Sequence, residues 1–416
     1  MAEEWILNKR RSALMVVLFL YVTHTQAQVV DTPSVSFNGF GTLGIVHSDE
    51  DQATFVSSVF VPEGAGYKSE WSAEVDSRLG LQLTANLTPQ WSSVLQVIVE
   101  QNYNGNYTPE IEWANVKFEV NSELSLRAGR IVLPTFMNSE HRKVGYVIPW
   151  IRPPQEVYRT VPISNIDGID AAYRFRFDDF TNTLRATYGQ ADKTFPYADE
   201  TGGWSTGDAQ ARKGLTISNT LERGGASFFA AYNQFHMTID EFNPLFDIYR
   251  MFGPEGNTLA NRYDLDDKRF EVITLGASYD AGDWFLMGEW TQMESQSLFA
   301  DNRSWYVTSG YRFGTITPYL TYAQQRTHNV SSNPGLSQPY TEELDAFLQS
   351  ILIFQPRQES LSLGVRWDFT RSMALKAQYD HMNLDAGSPG FLVITQPGFK
   401  PGGTVNLFSF ALDFVF

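Results

Sequence analysis

Four bases, Arg142, Lys143, Arg152 and Arg159, stand between residues 133 and 167, with the acids Glu140 and Glu156 set among them. Pro134, Pro149, Pro153, Pro154 and Pro162 share the stretch and stiffen it by fixing φ. Asp170, Arg174 and Arg176 follow closely, and Arg78, Arg127 and Arg366 lie in similar settings elsewhere. Cations gathered on one stiff segment attract anions, and carboxylates interleaved with them create a field that orients dipolar solutes. Covalent catalysis fits these residues less well. It requires a nucleophile with a base in reach, yet after residue 27 the imidazoles are His47, His141, His236, His328 and His381, far apart in the chain. Neither Gly-x-Ser-x-Gly nor His-Glu-x-x-His occurs. Cys is absent, which removes thiolate nucleophiles, disulfides and thiolate metal sites together. Asp49-Glu50-Asp51 and Asp264-Leu265-Asp266-Asp267 could cradle a divalent cation. Neither has EF-hand spacing, and solvated loops explain them more simply. No cofactor is expected.

The chain of 416 residues holds 47 acids against 31 bases, a net −16, which excludes nucleic acid as a partner. Hydrophobic residues reach 43% and aromatics 14%, too many for a disordered chain. Charged residues stop at 19%, below the roughly 25% of soluble domains. No apolar run reaches the ~18 residues that a membrane helix needs.

What positions the charged residues is a period of two. Val75, Ser77, Leu79, Leu81, Leu83, Ala85 and Leu87 share one parity, and Glu74, Asp76, Arg78, Gln82, Thr84 and Asn86 share the other. Leu361, Leu363, Val365, Trp367 and Phe369 alternate likewise with Ser362, Arg366 and Asp368. Successive strand residues face opposite ways, so each run has one greasy face and one charged face. The runs exceed the five or six residues common in soluble sheets and suit a tilted, bilayer-spanning strand of about 9–11.

Sixteen runs occur, near 34–48, 71–87, 91–103, 110–120, 123–132, 168–177, 181–191, 213–222, 225–236, 269–280, 283–294, 302–313, 315–327, 358–369, 371–383 and 404–416. Links after the even-numbered runs are tight, as at Asn121-Ser122, Arg223-Gly224 and Ala281-Gly282. Those after odd-numbered runs are mostly long, at about 49–70, 133–167, 192–212, 237–268, 328–357 and 384–403, with short exceptions at 104–109 and 295–301. One rim of turns and one rim of loops is the asymmetry of an outer-membrane barrel. The expected fold is therefore all-β, a 16-stranded antiparallel transmembrane β-barrel with short periplasmic turns and long extracellular loops. Inward parity then carries Arg78, Lys117, Arg127, Arg174, Arg176, Arg185, Arg312, Arg366 and Lys376 beside Asp76, Glu100, Glu119, Asp170, Glu289, Asp368 and Asp380. A barrel this wide is expected to hold water rather than a packed core.

Lys9, Arg10 and Arg11 precede an apolar Ser12–Val22, too short to span a bilayer, and Thr25-Gln26-Ala27 offers small residues before a cut. This predicts a signal peptide cleaved after Ala27, with residues 28–416 as a single domain. At the other end Phe408, Phe410, Leu412, Phe414 and Phe416 alternate with Ser409, Ala411 and Asp413. Closure would pair this strand with the first, near residues 35–40, so that no edge is left in lipid.

Sixteen runs, a leader, a long third loop and a terminal Phe together resemble the Gram-negative bacterial porins, over essentially the whole mature chain. Phe37-Asn38-Gly39-Phe40-Gly41, Asp76-Ser77-Arg78-Leu79-Gly80, Ala128-Gly129-Arg130, Arg152-Pro153-Pro154-Gln155-Glu156-Val157-Tyr158 and Asp167-Gly168-Ile169-Asp170 are similar to one branch of them. The resemblance implies a water-filled outer-membrane channel for passive diffusion of small hydrophilic solutes and ions, surrounded by lipid and lipopolysaccharide. It also implies a homotrimer, a third loop folded into the lumen, and a terminal signal read by the outer-membrane assembly machinery. Phe410, Leu412, Phe414 and Phe416 would carry that signal. The link at 104–109 is shorter than the second loop that usually latches neighbouring subunits. With the third loop turned inward, Arg142, Lys143, Arg152 and Arg159 join Arg174 and Arg176 in a basic constriction, which predicts weak anion preference. A channel specific for an anion or organic acid is the alternative, and an outer-membrane barrel hydrolase a remoter one. An energy-coupled receptor would need about 22 strands and a plug, more than this chain supplies.

Overall fold

The computed structural model describes residues 33–198, 204–328, 335–393 and 395–416, so the expected cleavage site at Ala27 lies outside the described residues. The alternating runs become sixteen strands: β1 (Ser34–Ser48), β2 (Arg78–Asn86), β3 (Trp91–Glu100), β4 (Glu110–Glu119), β5 (Leu124–Val132) and β6 (Asn165–Phe177). There follow β7 (Phe180–Ala198), β8 (Trp204–Arg223), β9 (Ala226–Ile239), β10 (Lys268–Asp280) and β11 (Trp284–Ser295). The last five are β12 (Asn302–Tyr311), β13 (Ile316–Thr327), β14 (Gln358–Trp367), β15 (Met373–Leu384) and β16 (Gly403–Val415). Each pairs antiparallel with its neighbours in sequence, and β16 returns to β1 from Phe40↔Val415 to Ser48↔Leu407, closing the barrel. A short extra strand, Trp71–Ser72, extends the sheet beside β1 at the loop rim. Leu79, Leu83, Leu363, Phe408 and Phe410 are exposed on the outside, whereas Asp76, Ser362, Ser409 and Asp413 are buried within.

Local chemistry explains the turns and the seam. Asp178, Gly224, Gly282 and Gly314 have φ of 53°, 55°, 90° and 63°, the left-handed conformation that tight hairpins favour. At the seam the need is space. A Cβ on Gly41 would lie 2.4 Å from the ring of Phe414, and one on Gly39 would lie 2.2 Å from that of Phe416. The terminal aromatics thus cover bare backbone on the neighbouring strand, as aromatic residues do over sheet glycines.

Three features depart from the sequence reading. The run 71–87 is broken, because residues 73–77 leave the ladder and the Ser77 hydroxyl takes the Gly44 N–H at 3.0 Å instead. The segment 192–212, expected as a loop, is mostly strand: β7 and β8 rise well above the wall, with register shifts between Gly189 and Ala191 and between Arg212 and Leu215. The interior, expected to hold water, is dry along one side. The links between β9 and β10 and between β13 and β14 carry α2 (Asn243–Arg250), α3 (Gly253–Tyr263) and α4 (Glu342–Ile353). Their Phe246, Tyr249, Leu259, Tyr263, Leu348 and Leu352 form one core with the inward Phe270, Val272, Phe285, Tyr306 and Tyr319 of β10–β13. The open cavity lies on the other side, lined by residues of β2–β5 and β7.

Candidate pore constriction

The segment between β5 and β6 enters the lumen and is stitched to the wall along its length. Thr135 bonds Asn233 of β9, and the backbone N–H of Met137 reaches Glu289 of β11 at 2.7 Å. The 3-10 turn Gly145–Val147 lies lowest, where Tyr146 Oη donates to the Arg371 carbonyl in the turn after β14, at 2.8 Å. Arg366 holds the same stretch, donating to the Tyr146 and Ile148 carbonyls at 2.6 and 3.2 Å while paired with Asp368. On the way back up, Trp150 Nε1 lies 3.0 Å from both Thr308 and Thr321 hydroxyls. Arg152 follows. Its guanidinium bonds Asp76 at 3.0 and 2.5 Å, Asp380 at 3.1 Å and Ser409 at 2.8 Å, so it is spent on three wall segments and only 5% exposed.

The one-turn α1 (Gln155–Tyr158) comes next and buries Glu156, whose carboxylate accepts from Gln358 at 2.7 Å and Ser360 at 2.8 Å. Burial holds the Glu156 carboxyl above its ordinary value, against the pull of those two donors. Tyr158 Oη donates to Glu289 at 2.6 Å.

All four bases of this loop line a 480 Å³ cavity against β2–β5, Arg152 through its edge and the other three as follows. Lys143 bridges to the wall, 2.6 Å from Glu100 and 2.9 Å from Glu112. Burial opposes its charge, but the two carboxylates outweigh that and raise its pKa. Among the described residues Arg142 bonds only carbonyl oxygens, those of Val161 and Pro162, and burial lowers its pKa against partial opposition from Glu112. Arg159 likewise bonds the carbonyls of Val56 and Phe391 and stacks over the Phe391 ring at 4.7 Å. Burial brings it down to about 10, still cationic at neutral pH, and its Nε has no acceptor among the described residues. Among the described residues seven bases and five acids line the cavity, with Lys193 of β7 and Glu110 of β4 among them.

The remaining sequence candidates separate from this group. Glu140 meets Arg185 of β7 at 2.8 Å, and although burial raises its pKa, that guanidinium brings it below the usual range. Arg127 and Asp170 form a bidentate pair on β5 and β6, with Arg185 3.9 Å from the same carboxylate. Arg78 sits at the cavity, 3.7 Å from Glu100. Arg174 and Arg176 do not join the loop bases. They lie near the turn after β6, where Arg174 approaches Glu222 at 3.8 Å and both are exposed. Sequence parity missed Glu112. A bulge sets Gln96 opposite Trp113 but Val97 opposite Ile111, so Glu112 is an extra residue and turns inward, 6% exposed. Among the described residues no three acids or imidazoles converge as a metal would require.

A closed, antiparallel barrel with a greasy exterior and a charged lumen crossed by a loop is a transmembrane β-barrel. A family model described as Gram-negative porin matches residues 13–387, so the chain belongs to the Gram-negative porin family and is an outer-membrane channel. A search of the curated proteins finds no match. Among solved structures, the outer membrane channel DcaP of Acinetobacter baumannii is similar at a TM-score of 0.53 and 11% identity, over 95% of this chain and 100% of that one. OmpT, an outer membrane protein of Vibrio cholerae, gives 0.51 and 10%, over 94% and 100%. OmpF of Salmonella typhi, in complex with daunomycin, gives 0.50 and 13%, over 92% and 97%. Identities this low carry the fold alone.

Proposed function

We propose that this porin passes small hydrophilic solutes and ions by diffusion, with weak preference for anions, along an eccentric path between the inward loop and the β2–β5 wall. One observation carries the sign. Arg142 and Arg159 stand at the cavity bonded to neutral carbonyls, and among the described residues neither pairs with a carboxylate. Lys143, Arg78 and Arg152, by contrast, are balanced by the acids beside them. Charges close to a confined path act more strongly on a passing ion than those at a distance. In planar bilayers under a salt gradient the wild type is expected to give discrete conductance steps and a reversal potential on the anion side. Replacing Arg142 and Arg159 with Ser should move that potential toward cations. A wild type already clearly cation-selective, or an unmoved double variant, defeats the assignment.

A second reading, a channel specific for an organic anion, is favoured by the size of the cavity, within the ~300–1,000 Å³ of small-molecule sites. Current that saturates with one carboxylate at millimolar levels and not with chloride would select it. We further read residues 28–416 as a single domain, with Phe410, Leu412, Phe414 and Phe416 as the assembly signal and a homotrimer as the working form. OmpT of Vibrio cholerae has a trimer form with this fold, at a TM-score of 0.50. The loop at 104–109 supports subunit contact weakly, since Asn102, Asn104 and Asn106 fold it into a tight turn bonded to itself. Native mass measurement after chelation and mild heating tests the trimer. The same geometry gives no support to a hydrolase.

A further inference from the structure

Below the loop's lowest point the wall offers an unusual seat. Lys376 Nζ donates to the carbonyls of Gly145, Ile148 and Trp150 at 2.7, 2.8 and 2.7 Å and lies 2.9 Å from Asp413 Oδ2. An ammonium has three donors and no acceptor, so every Lys376 hydrogen goes to loop backbone while Asp413 balances the charge. Both side chains are wholly buried. Asp413 also accepts from the Thr42 hydroxyl at 2.5 Å. The seat therefore joins β15, β16 and β1, and it straddles the seam where the barrel closes.

Gly145 lies flush against it. A Cβ there would fall 2.2 Å from Asp413 Oδ1 and 2.7 Å from Thr42 Oγ1, leaving room for no other residue. The seat is also low in the barrel. Lys376 is near the start of β15 and Asp413 near the end of β16, beside the turn whose Arg371 carbonyl holds Tyr146. Arg142, Lys143 and Arg159 of the same loop line the cavity instead. A buried ion pair contributes little net stability compared with apolar residues of like size, and its best-attested use is to fix a register. Here the register is that of a loop against a wall.

We propose that Lys376 is the positioning residue of the pore loop: its tripod of carbonyl bonds sets how deep the loop reaches and hence the bore at the turn-rim mouth. The inference rests on the chain being a channel. It has a consequence for assembly, since the seat is complete only once β16 has met β1, so the loop seats after the barrel closes.

The test uses Lys376→Ala and Lys376→Arg in planar bilayers. Lys376→Ala should give larger unit conductance and admit larger polyethylene glycols than wild type. n-Propylammonium chloride, which restores stem and donors, should return both toward wild type; tetramethylammonium chloride, which has no N–H, should not. Lys376→Arg keeps the charge but presents a planar fork that cannot fill the tripod, and it should stay loose. Should Lys376→Ala fail to assemble, Gly145→Ala lifts the tip by pushing against Asp413 and Thr42 while leaving every charge in place, and it should enlarge the conductance alike. Unchanged steps in both lysine variants, or in Gly145→Ala, overturn the proposal, as does equal rescue by both amines. Absence of any conductance in the wild type overturns the channel reading instead, so the two failures are distinct.

Discussion

Lys143 and Arg159 are both bases of the same loop, yet their neighbours give them opposite weights. Lys143 is held between Glu100 and Glu112, so its removal exposes two carboxylates at the cavity. Lys143→Met is expected to swing the reversal potential toward cations further than Arg159→Ser, and a smaller swing would show that ions do not pass this bridge. Arg152 belongs to neither class. Cutting it away strands Asp76 and Asp380 in a buried site, so Arg152→Ser should destabilise by about 3–5 kcal/mol, read as lost heat resistance of the folded band. Glu156 adds a pH dependence. Its carboxyl sits above the ordinary 4.5 in the seated loop because burial favours the neutral form, with Asp380 adding to the rise and Arg159 facing it. Seating is then firmest below 4.5 and weakens as pH climbs through the raised value. Open-channel noise should grow over that interval, and Glu156→Gln, neutral throughout, should flatten the trend. An identical slope in the variant would assign it to another group.

Strands were legible because lipid imposes period two on every one of them, and all sixteen runs reappear as strands, thirteen with ends moved by three residues at most and the second, seventh and eighth with one end moved by seven to nine. Where lipid stops, the signal stops: β7 and β8 continue past the apolar alternation into polar residues such as Asp192, Lys193 and Thr194, which read as loop. Parity also fails at a bulge, which hid Glu112. The site was legible in part. Proline and the local bases marked the inward loop, but partners such as Asp380 and Lys376 are more than 200 residues away, and no spacing rule announces them. Two tests belong to this scale. Leu81→Arg on the outward face should cost roughly 2–4 kcal/mol near mid-strand and lower assembly yield, whereas Gln82→Arg, beside the inward Gln96, should cost far less. Equal yields would mean the faces are reversed. At the seam, Gly41→Leu must displace the Phe414 ring, so its folded band should melt earlier in heated detergent than that of Gly224→Ala, whose added carbon meets open space.

For the whole molecule, a net −16 by itself calls for cations, but geometry decides how far that charge reaches. Much of it is at the loop rim. Residues 49–70 hold five acids against Lys68, and residues 240–267 hold seven against Arg250 and Arg262, giving −4 and −5. Arg142 and Arg159 instead stand at the cavity wall. Salt separates the two sets, because the screening length is about 30 Å at 0.01 M and about 8 Å at 0.15 M, while partly buried charges are screened much less. At low salt the rim acids should concentrate cations at the mouth and offset the local bases. As salt rises their reach contracts, and the guanidinium groups beside the path are left to set the sign. Measured at a constant concentration ratio, the reversal potential should therefore move toward anions between about 10 and 150 mM salt, as the screening length contracts. The Arg142→Ser, Arg159→Ser double variant should start more cationic and show less of this drift. A wild type whose cation preference is constant or grows with salt would mean that the rim, not the inward loop, governs what passes.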